Sequence, residues 1–180
     1  MDPIAHNWKV FLETEEESSF SAIYNILIDD LFAYGISLGF QKESCKDAVQ
    51  DIFINIYLNK KKLTRINNIT GYIFRSFRNR LIDIERNRFK NKRVDSLEDR
   101  FTIEVTILDN IIYNETAAIL KEKIHNLLET ITPNQREAVY LKYVVGLQHK
   151  EIAVILNINE ESARKLLYRA MEKLRKNVTE

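Results

Sequence analysis

The stretch GLQHKEIAVILNINEESARKLLYRA, residues 146–170, decides the fold predicted for this chain. It holds two amphipathic runs, HKEIAVIL and EESARKLLYRA, with only the tripeptide NIN between them. A break of about three residues forces two helices to cross steeply, so the stretch predicts a helix-turn-helix. The apolar residues that recur at helical spacing are Ile152, Ile155 and Leu156 in the first run and Ala163, Leu167, Ala170 and Leu174 in the second.

The residues in and around the short break support this geometry. Asn157 belongs to the few residue types besides glycine that readily adopt the left-handed conformation in which helices end. Asn159 is suited to cap the second helix, because Glu160 and Glu161 follow it and acids favour a helix N-terminus. The small Ala153 lets the two helices approach closely. The residues on both sides of the break therefore predict that the two helices pack together as one compact unit.

The second helix of this unit is predicted to carry a positively charged outer face. From residue 164 to residue 176 the chain has six Lys or Arg and one acid. Such a stripe suits a phosphate backbone, and a solvated helical hairpin with a basic outer face is the alternative explanation of the same pattern. The residues predicted to face DNA are Ser162, Arg164, Lys165, Tyr168 and Arg169.

Composition restricts the class of protein. The 180 residues suffice for one large domain or two small ones, and 45% hydrophobic with 29% charged residues indicates a soluble, folded chain. No apolar run approaches the roughly 20 residues of a membrane span, and the N-terminus lacks the features of a signal peptide. The single Cys45 excludes an internal disulfide and fits a reducing compartment. We therefore expect a cytoplasmic protein.

The net charge of +1 conceals an alternation of sign along the chain. Residues 1–59 hold ten acids and three Lys or Arg, whereas residues 60–93 hold two acids and twelve Lys or Arg. Residues 94–124 are acidic again, and residues 125–180 are slightly basic. This layout predicts two anion-binding surfaces and at least one acidic surface for another partner.

Helical periodicity predicts an all-α fold with two small domains. Three helices, over 18–38, 43–59 and 69–90, form an N-terminal domain that spans residues 1–92. Residues 93–111 lose the helical period and are predicted to be a linker that lies partly against the protein surface.

The C-terminal domain, residues 112–180, is predicted to contain four helices. The first covers about 112–130, the second ends at Gly146, and the helix-turn-helix supplies the other two. The start of the second helix is marked by a capping sequence made of Thr132, Pro133 and Gln135.

No catalytic, cofactor or metal site is predicted. The three histidines, His6, His125 and His149, are scattered and have no metal-ligand spacing. The sequence also contains neither a Gly-rich phosphate loop nor a recognised hydrolase signature. The adjacent acids Asp29 and Asp30 do not face each other on a helix. The sequence thus predicts neither an enzyme nor a small-molecule substrate.

The whole chain resembles a bacterial RNA polymerase sigma factor of the extracytoplasmic-function (ECF) type, in the sigma-70 family. KDAVQDIFINIY, residues 46–57, looks like the family's acidic helix that grips the coiled-coil clamp of the polymerase largest subunit. ITGYIFRSFRNRLIDIERNR, residues 69–88, looks like the segment that melts and holds the −10 promoter element. Residues 132–175 resemble the region that reads the −35 element. These motifs imply sigma region 2 in the N-terminal domain and sigma region 4 in the C-terminal domain.

The resemblance implies roles for residues in the first domain. Polymerase binding is expected on the side of the 46–57 helix opposite its apolar face. Around residues 62–88, basic side chains would follow the −10 strand, while an aromatic ring stacks bases and Asn amides read them; Phe74 and Phe77 are expected in the core. The polymerase-binding set is Asp47, Gln50, Asp51 and Ile54, and the −10 set is Asn67, Asn68, Tyr72, Arg75, Arg78, Asn79 and Arg80.

The implied partners are core RNA polymerase, through its clamp coiled coil and its flap, promoter DNA, and an anti-sigma factor. The chain departs from the family's usual sequence at three positions: Leu166 replaces a frequent basic residue, Asn157 the turn glycine, and Tyr72 a common tryptophan. A stand-alone helix-turn-helix regulator is the alternative, and a protein-binding helical adaptor is a third hypothesis. The basic, aromatic block 60–93 favours the sigma factor, because a sensor domain does not need it.

Overall fold

The computed structural model describes residues 2–88, 101 and 115–178, with the backbone alone described at residues 88, 115–118 and 121. These residues form α-helices and one 3-10 turn, Lys60–Lys62, and no strand occurs among them, so the all-α prediction is confirmed. None of the described helices is both long and apolar enough to cross a membrane. The helices are α1 (Pro3–Thr14), α2 (Glu17–Ser37), α3 (Lys42–Asn59), α4 (Ile69–Arg88), α5 (Glu115–Glu129), α6 (Pro133–Tyr143), α7 (His149–Leu156) and α8 (Glu160–Val178).

Helices α1 to α4 form the N-terminal group. The three predicted helices are confirmed as α2, α3 and α4, whereas α1 was not predicted. Asp2 caps α1, because its side chain accepts the backbone N–H of Ile4 at 3.0 Å, and Pro3 occupies the first helical position. The ring of Phe11 on α1 lies 4.8 Å from the ring of Phe20 on α2, so α1 closes one side of the aromatic interior.

A glycine sets the closest approach within this group. A Cβ atom placed on Gly35 of α2 would lie 2.6 Å from Cys45 Sγ on α3 and 2.9 Å from Cζ of Phe77 on α4. Real Cβ atoms do not come this close to other heavy atoms, so only glycine lets the three helices meet here. The predicted burial of Phe74 and Phe77 is confirmed, since neither side chain reaches solvent.

Helices α5 to α8 form the C-terminal group, and its predicted caps are confirmed. Thr132 Oγ1 accepts the backbone N–H of Gln135, whose side chain accepts the N–H of Thr132, and Pro133 opens α6. The predicted end of this helix at Gly146 is wrong by three residues, because α6 ends at Tyr143. Gly146 instead supplies the positive φ of 83° in the turn that follows.

The helix-turn-helix prediction is confirmed in α7 and α8. Asn157 ends α7 in the left-handed conformation, with φ 55° and ψ 42°. Asn159 Oδ1 accepts the backbone N–H of Ser162 at 2.7 Å, which caps α8 as predicted. The buried face of α8 consists of Ala163, Leu167, Ala170 and Leu174, which are the residues expected from the periodicity.

One hydrophobic cluster runs through both groups of helices. It includes core residues of α2, α3 and α4 together with core residues of α6, α7 and α8, and α4 packs directly against α7. The predicted linker lies outside the described residues except for Phe101, which is buried between Tyr34 and Tyr140 with ring distances of 6.3 Å and 5.6 Å. The C-terminal group is thus packed on the N-terminal group through an aromatic interface.

Candidate functional site

The outer face of α3 presents the four residues predicted to bind polymerase. Asp47, Gln50, Asp51 and Ile54 are all exposed, while the opposite side of the helix is buried in the core. Ile54 is 50% exposed, and one turn further along Leu58 is 74% exposed. Leu58 extends the apolar part of this face; its spacing of four residues from Ile54 was the signal that sequence analysis missed. The face therefore combines carboxylates with accessible apolar surface.

Asp51 connects this face to the basic helix α4. Its Oδ2 atom accepts a hydrogen bond from Arg80 Nε at 2.7 Å, although the sequence placed these two residues on different surfaces. Both side chains remain more than 40% exposed, so the pair adds little stability. Asp51 and Arg80 both line the groove between α3 and α4.

The amide side chains predicted to read the −10 element lie in different environments. Asn67 and Asn79 are exposed, whereas Asn68 is partly buried and caps α4, since its Oδ1 atom accepts the backbone N–H of Gly71 at 2.9 Å. The Nδ2 atom of Asn68 is buried without a hydrogen-bond partner in the protein. Tyr72 is half-buried and packs against the core, so only part of its ring is available. These positions leave Asn67 and Asn79 as the accessible amides.

Arg78 is held by the C-terminal group. Its Nε atom donates to Glu137 Oε1 at 3.1 Å, and the hydroxyl of Tyr34 donates to the same oxygen at 2.5 Å. Burial alone would lower the pKa of the Arg78 guanidinium, but the charges and hydrogen bonds of Glu137 and Tyr34 together outweigh burial, so this pKa is raised. Burial, reinforced by the charge of Glu137, raises the pKa of Tyr34 well above its usual value. Both donors therefore keep their protons at neutral pH.

A basic cleft lies between α4 and α8, beside the contact of α4 with α7. Arg75 spans its rim, because Arg75 Nη2 donates to Oδ1 of Asn157 at 2.9 Å. The cleft has a volume of about 800 Å³ and no carboxylate in its lining. Its polar lining consists of Arg75, Arg78, Asn79, Asn134, Asn157, Ser162, Lys165 and Arg169. The structure thus brings part of the predicted −10 set together with part of the predicted −35 set.

The five DNA-facing residues predicted on α8 fall on two sides of the helix. Ser162, Lys165 and Arg169 line the basic cleft, whereas Arg164 and Tyr168 line a separate groove beside Tyr143 and Arg175. Tyr168 is 70% exposed, and among the described residues Arg164 and Lys165 pair with acids one turn earlier on the same helix, Glu160 and Glu161. Such exposed pairs are weak, so they leave both cations available to DNA.

The described residues offer little for catalysis. No group of three or more His, Cys, Asp or Glu side chains among them is placed to hold a metal ion. Burial raises the pKa of the Cys45 thiol to about 11, which leaves it protonated and poorly nucleophilic. What the described surfaces present is charge, amides and aromatic rings, the groups that bind nucleic acid.

Comparison with known proteins agrees with this geometry. The family model described as Sigma-70, region 4 matches residues 121–174, from α5 through most of α8. The ECF RNA polymerase sigma factor SigM of Bacillus subtilis (strain 168) is 25% identical over 154 residues, which cover 85% of this chain and 91% of SigM. These findings support an ECF-type factor of the sigma-70 family. They support, at the same level, a sigma factor that directs transcription by RNA polymerase.

Two solved structures share the fold of this chain. CnrH in complex with the cytosolic domain of CnrY gives a TM-score of 0.62 at 16% identity, over 99% of this chain and 98% of that one. The sigma factor RpoE in complex with the anti-sigma factor NepR from Bartonella quintana gives 0.56 at 18% identity, over 89% and 96%. At these identities the likeness concerns the fold alone.

The hydrogen bond between Tyr34 and Glu137 was not predicted from the sequence. Periodicity assigns Tyr34 to the apolar face of the 18–38 helix, which is correct for its ring but not for its hydroxyl. Glu137 gave one usable signal: it stands beside Ala138 on the face of α6 that also carries Leu141, where a charge is unexpected. A buried charge of this kind requires a partner, but the sequence does not reveal which residue provides it.

Proposed function

We propose that this sigma factor binds core RNA polymerase through the exposed face of α3 and melts the −10 element with α4 and the loop before it. In the same proposal, α8 reads the −35 element. The observation that carries the proposal is the presence of three chemically distinct surfaces on one fold. One is acidic and apolar, the second combines arginines with amides, and the third is a basic helix of a helix-turn-helix.

The polymerase contact is assigned to Asp47, Gln50, Asp51 and Ile54, with Leu58 added. Exposed carboxylates attract a basic coiled coil over a distance and speed association. Ile54 and Leu58 then supply apolar area that becomes buried on binding, which holds the complex together. The clamp coiled coil of polymerase is the proposed partner of this face, and the flap is the proposed partner of the C-terminal group.

The −10 contact is assigned to α4 and the residues preceding it. Asn67 and Asn79 are accessible amides that can pair with the edge of an unstacked base, and the exposed part of Tyr72 can stack on one. Asn68 caps α4 through Oδ1 and its Nδ2 atom is buried, so its proposed role is to position the start of α4 beside the accessible amides. Arg75, Arg78 and Arg80 would neutralise the phosphates of the single strand.

The −35 contact is assigned to α8 lying in the major groove. Residues near the N-terminus of a recognition helix reach base edges, which gives Ser162, Arg164 and Lys165 the sequence-reading positions. One turn further on, Tyr168 would contact the backbone or a thymine methyl, and Arg169 would contact a base or a phosphate. Lys165 and Arg169 need the cleft to be open for this contact, because both line it.

An anti-sigma factor is a further proposed partner. Support comes from RpoE, which shares this fold and whose structure was solved in complex with the anti-sigma factor NepR. The exposed apolar residues of α3 would be covered in such a complex, since they are surface that a competing protein can bury.

Reconstituted transcription tests the proposal. Core polymerase with and without the chain is supplied with genomic promoter fragments, and initiation at discrete sites is expected only with the chain present. Gel-shift titration on the same fragments tests the alternative, a stand-alone helix-turn-helix regulator. Specific binding of duplex DNA without polymerase, combined with no gain in initiation, would favour the regulator and contradict the proposal.

A further inference from the structure

The loop between α3 and α4, residues 60–68, begins with a lysine that is largely buried. The side chain of Lys60 is 16% exposed, whereas its two neighbours in the same 3-10 turn are exposed. Lys60 Nζ lies 3.0 Å from Oε2 of Glu15, the residue that ends α1. The basic block that starts at this position in the sequence therefore includes a cation that is directed at a carboxylate of the protein.

Two aromatic rings complete the surroundings of this ammonium group. Lys60 Nζ lies 5.0 Å from the centroid of the Phe11 ring and 5.3 Å from that of the Tyr57 ring, which is within the range of a cation–π contact. Phe11 belongs to α1 and Tyr57 to α3, and the Tyr57 hydroxyl donates to Glu17 Oε1 at 3.1 Å. Lys60 thus joins α1 to α3 at the point where the loop begins.

The backbone of Glu15 indicates that its side chain is used. Glu15 has the left-handed conformation, with φ 58° and ψ 21°, where glycine is the usual residue because a Cβ atom is unfavourable there. A hydrogen bond from Lys60, reinforced by its positive charge, lowers the pKa of the Glu15 carboxyl. Because the Glu15 side chain is 59% exposed, the ion pair adds little stability. Its consequence is positional, since it limits where the beginning of the loop can lie.

Backbone hydrogen bonds carry this position along the loop. The N–H of Leu63 donates to the carbonyl of Lys60 at 2.9 Å, and the N–H of Ile66 donates to the carbonyl of Leu63 at 3.0 Å. Asn67, an accessible amide assigned to the −10 contact, follows Ile66 directly. At the other end of the loop, Asn68 caps α4. The loop is therefore held at both ends, by Lys60 and by Asn68.

Between these two ends the loop is not closely packed on α1. An open cavity of about 220 Å³ lies between them, and its lining includes Trp8 and Leu12 of α1 and Ile66 and Asn67 of the loop. Close packing would hold the loop in place by contact with neighbouring side chains. The cavity instead leaves space into which the loop can move, so the contacts of Lys60 determine its position.

We infer, on the basis of the −10 contact proposed above, that Lys60 is a positioning residue for base recognition. Its contacts with Glu15, Phe11 and Tyr57 hold the loop so that the Asn67 amide is presented to the unpaired −10 strand. Lys60 does not touch DNA in this arrangement, because its ammonium group is directed at Glu15. Phosphates are left to the exposed cations of the loop, Lys61, Lys62 and Arg65.

Two substitutions at the ion pair distinguish positioning from direct contact with a phosphate. Lys60→Met removes the charge but keeps an unbranched apolar side chain beside the two rings, and Glu15→Gln removes the partner's charge but keeps its size. Lys61→Met is the matched control, because it removes the charge of an exposed lysine in the same turn. Holoenzymes that contain each chain are compared on promoters with single-base changes in the −10 element, at two salt concentrations.

Both variants of the ion pair should relax base preference at one or two positions of the −10 element, because a displaced Asn67 loses its base contact. The expected loss of preference is at least about fivefold, the lower limit for one base contact. Lys61→Met should leave the ranking of the −10 variants unchanged, weaken all of them alike and reduce the salt slope by about one. The ranking of −35 variants should be the same for all of these chains.

The direction of the Glu15→Gln effect separates the two explanations. If Lys60 contacted a phosphate, removal of the competing carboxylate would strengthen binding to every promoter, and Lys60→Met would weaken binding without changing the ranking. Either of these results overturns the inference. If Lys60→Met fails to fold, Glu15→Gln decides the outcome, because its side chain is more than half exposed.

Hydrogen exchange on the free chain keeps this test separate from that of the proposed function. The amides of Leu63 and Ile66 should exchange faster in Lys60→Met and in Glu15→Gln than in the wild type, while the amides of α8 should not change. Unchanged exchange at Leu63 and Ile66 overturns the inference even if the wild type initiates transcription. Asn67→Ala reports on the proposed function by itself, since an unchanged −10 ranking for that variant contradicts the proposed contact whichever way the Lys60 variants behave.

Discussion

The Arg78–Glu137 pair and the Lys165–Glu161 pair are ion pairs in opposite environments. Arg78 and Glu137 are 59 positions apart in sequence, and their side chains are 16% and 1% exposed. Lys165 and Glu161 are one turn apart on α8, and theirs are 63% and 75% exposed. The exposed Lys165–Glu161 pair contributes little to stability, because water solvates both charges. The loss of one partner from the buried Arg78–Glu137 pair would leave a buried charge without a counter-charge.

This difference indicates where the molecule uses charge for structure and where it keeps charge available. The buried pair fixes the position of the C-terminal group against α4. Arg164 and Lys165 of α8 pair with neighbouring acids on the same helix, so a phosphate can replace those acids at little cost. The predictions below run from the largest expected effect to the smallest; they test this division of charge and the packing around it.

Arg78→Ala is expected to lower the free energy of unfolding by about 3 kcal/mol, because Glu137 is left buried without its cation. Chemical denaturation of the variant and of Lys165→Ala measures the contrast, and Lys165→Ala should stay within about 0.5 kcal/mol of the wild type. A loss below about 1 kcal/mol for Arg78→Ala would mean that Glu137 reaches water easily, by separation of the two groups.

Gly35→Ala is expected to destabilise the chain by about 1–3 kcal/mol, because the added methyl would overlap Cys45 Sγ and the ring of Phe77. The measurement is the thermal midpoint by circular dichroism. Gly39→Ala serves as a control for backbone strain without overlap, since Gly39 has a positive φ of 82° and a Cβ atom added there would meet no heavy atom within 4 Å. Equal losses at the two positions would argue against close packing at Gly35.

Arg164→Ala and Lys165→Ala are each expected to cost roughly 1–3 kcal/mol in −35 recognition and to relax preference at one or two neighbouring bases. Arg169→Ala should weaken all sequences alike and reduce the salt slope by about one, as a phosphate contact does. Holoenzymes are compared across single-base −35 variants at two salt concentrations. If neither Arg164→Ala nor Lys165→Ala changes the ranking of the −35 promoter variants, α8 does not recognise the −35 sequence.

Asp47→Lys combined with Asp51→Lys is expected to change stability least, within about 0.5 kcal/mol per site, because both positions are exposed. Co-purification with core polymerase should nevertheless be lost, since the charge on the exposed face of α3 would change from negative to positive. Glu43→Lys, on the first turn of the same helix, provides a control with a charge reversal outside the proposed contact. Unchanged polymerase binding by the double variant would show that another face makes the contact.

Local signals made most of the helices predictable. The caps Thr132 and Asn159 and the turn residue Asn157 act on backbone groups within a few positions, so their effect is readable from the sequence alone. The exposed faces of α3 and α8 follow from helical periodicity for the same reason. α1 was missed although Asp2 and Pro3 carried a start signal and Ile4, Trp8, Phe11 and Leu12 recur at helical spacing.

Contacts over long sequence separations were not predictable. Tyr34 and Glu137 lie 103 positions apart, and periodicity assigns the first to a core and gives the second no role. The division of the α8 residues between two grooves likewise depends on where α4 lies, so five positions that look equivalent in the sequence became two sets.

The sequence by itself determined that this chain is helical, where its helix-turn-helix lies, and which helix faces carry charge. Each of these depends on interactions within one or two turns of helix, which have the same form wherever the helix is placed. Only the tertiary structure decided that Arg78 pairs with Glu137 and that α4 faces α8 across a cleft. Those contacts arise from burial of distant segments against each other, and burial is a property of the assembled fold.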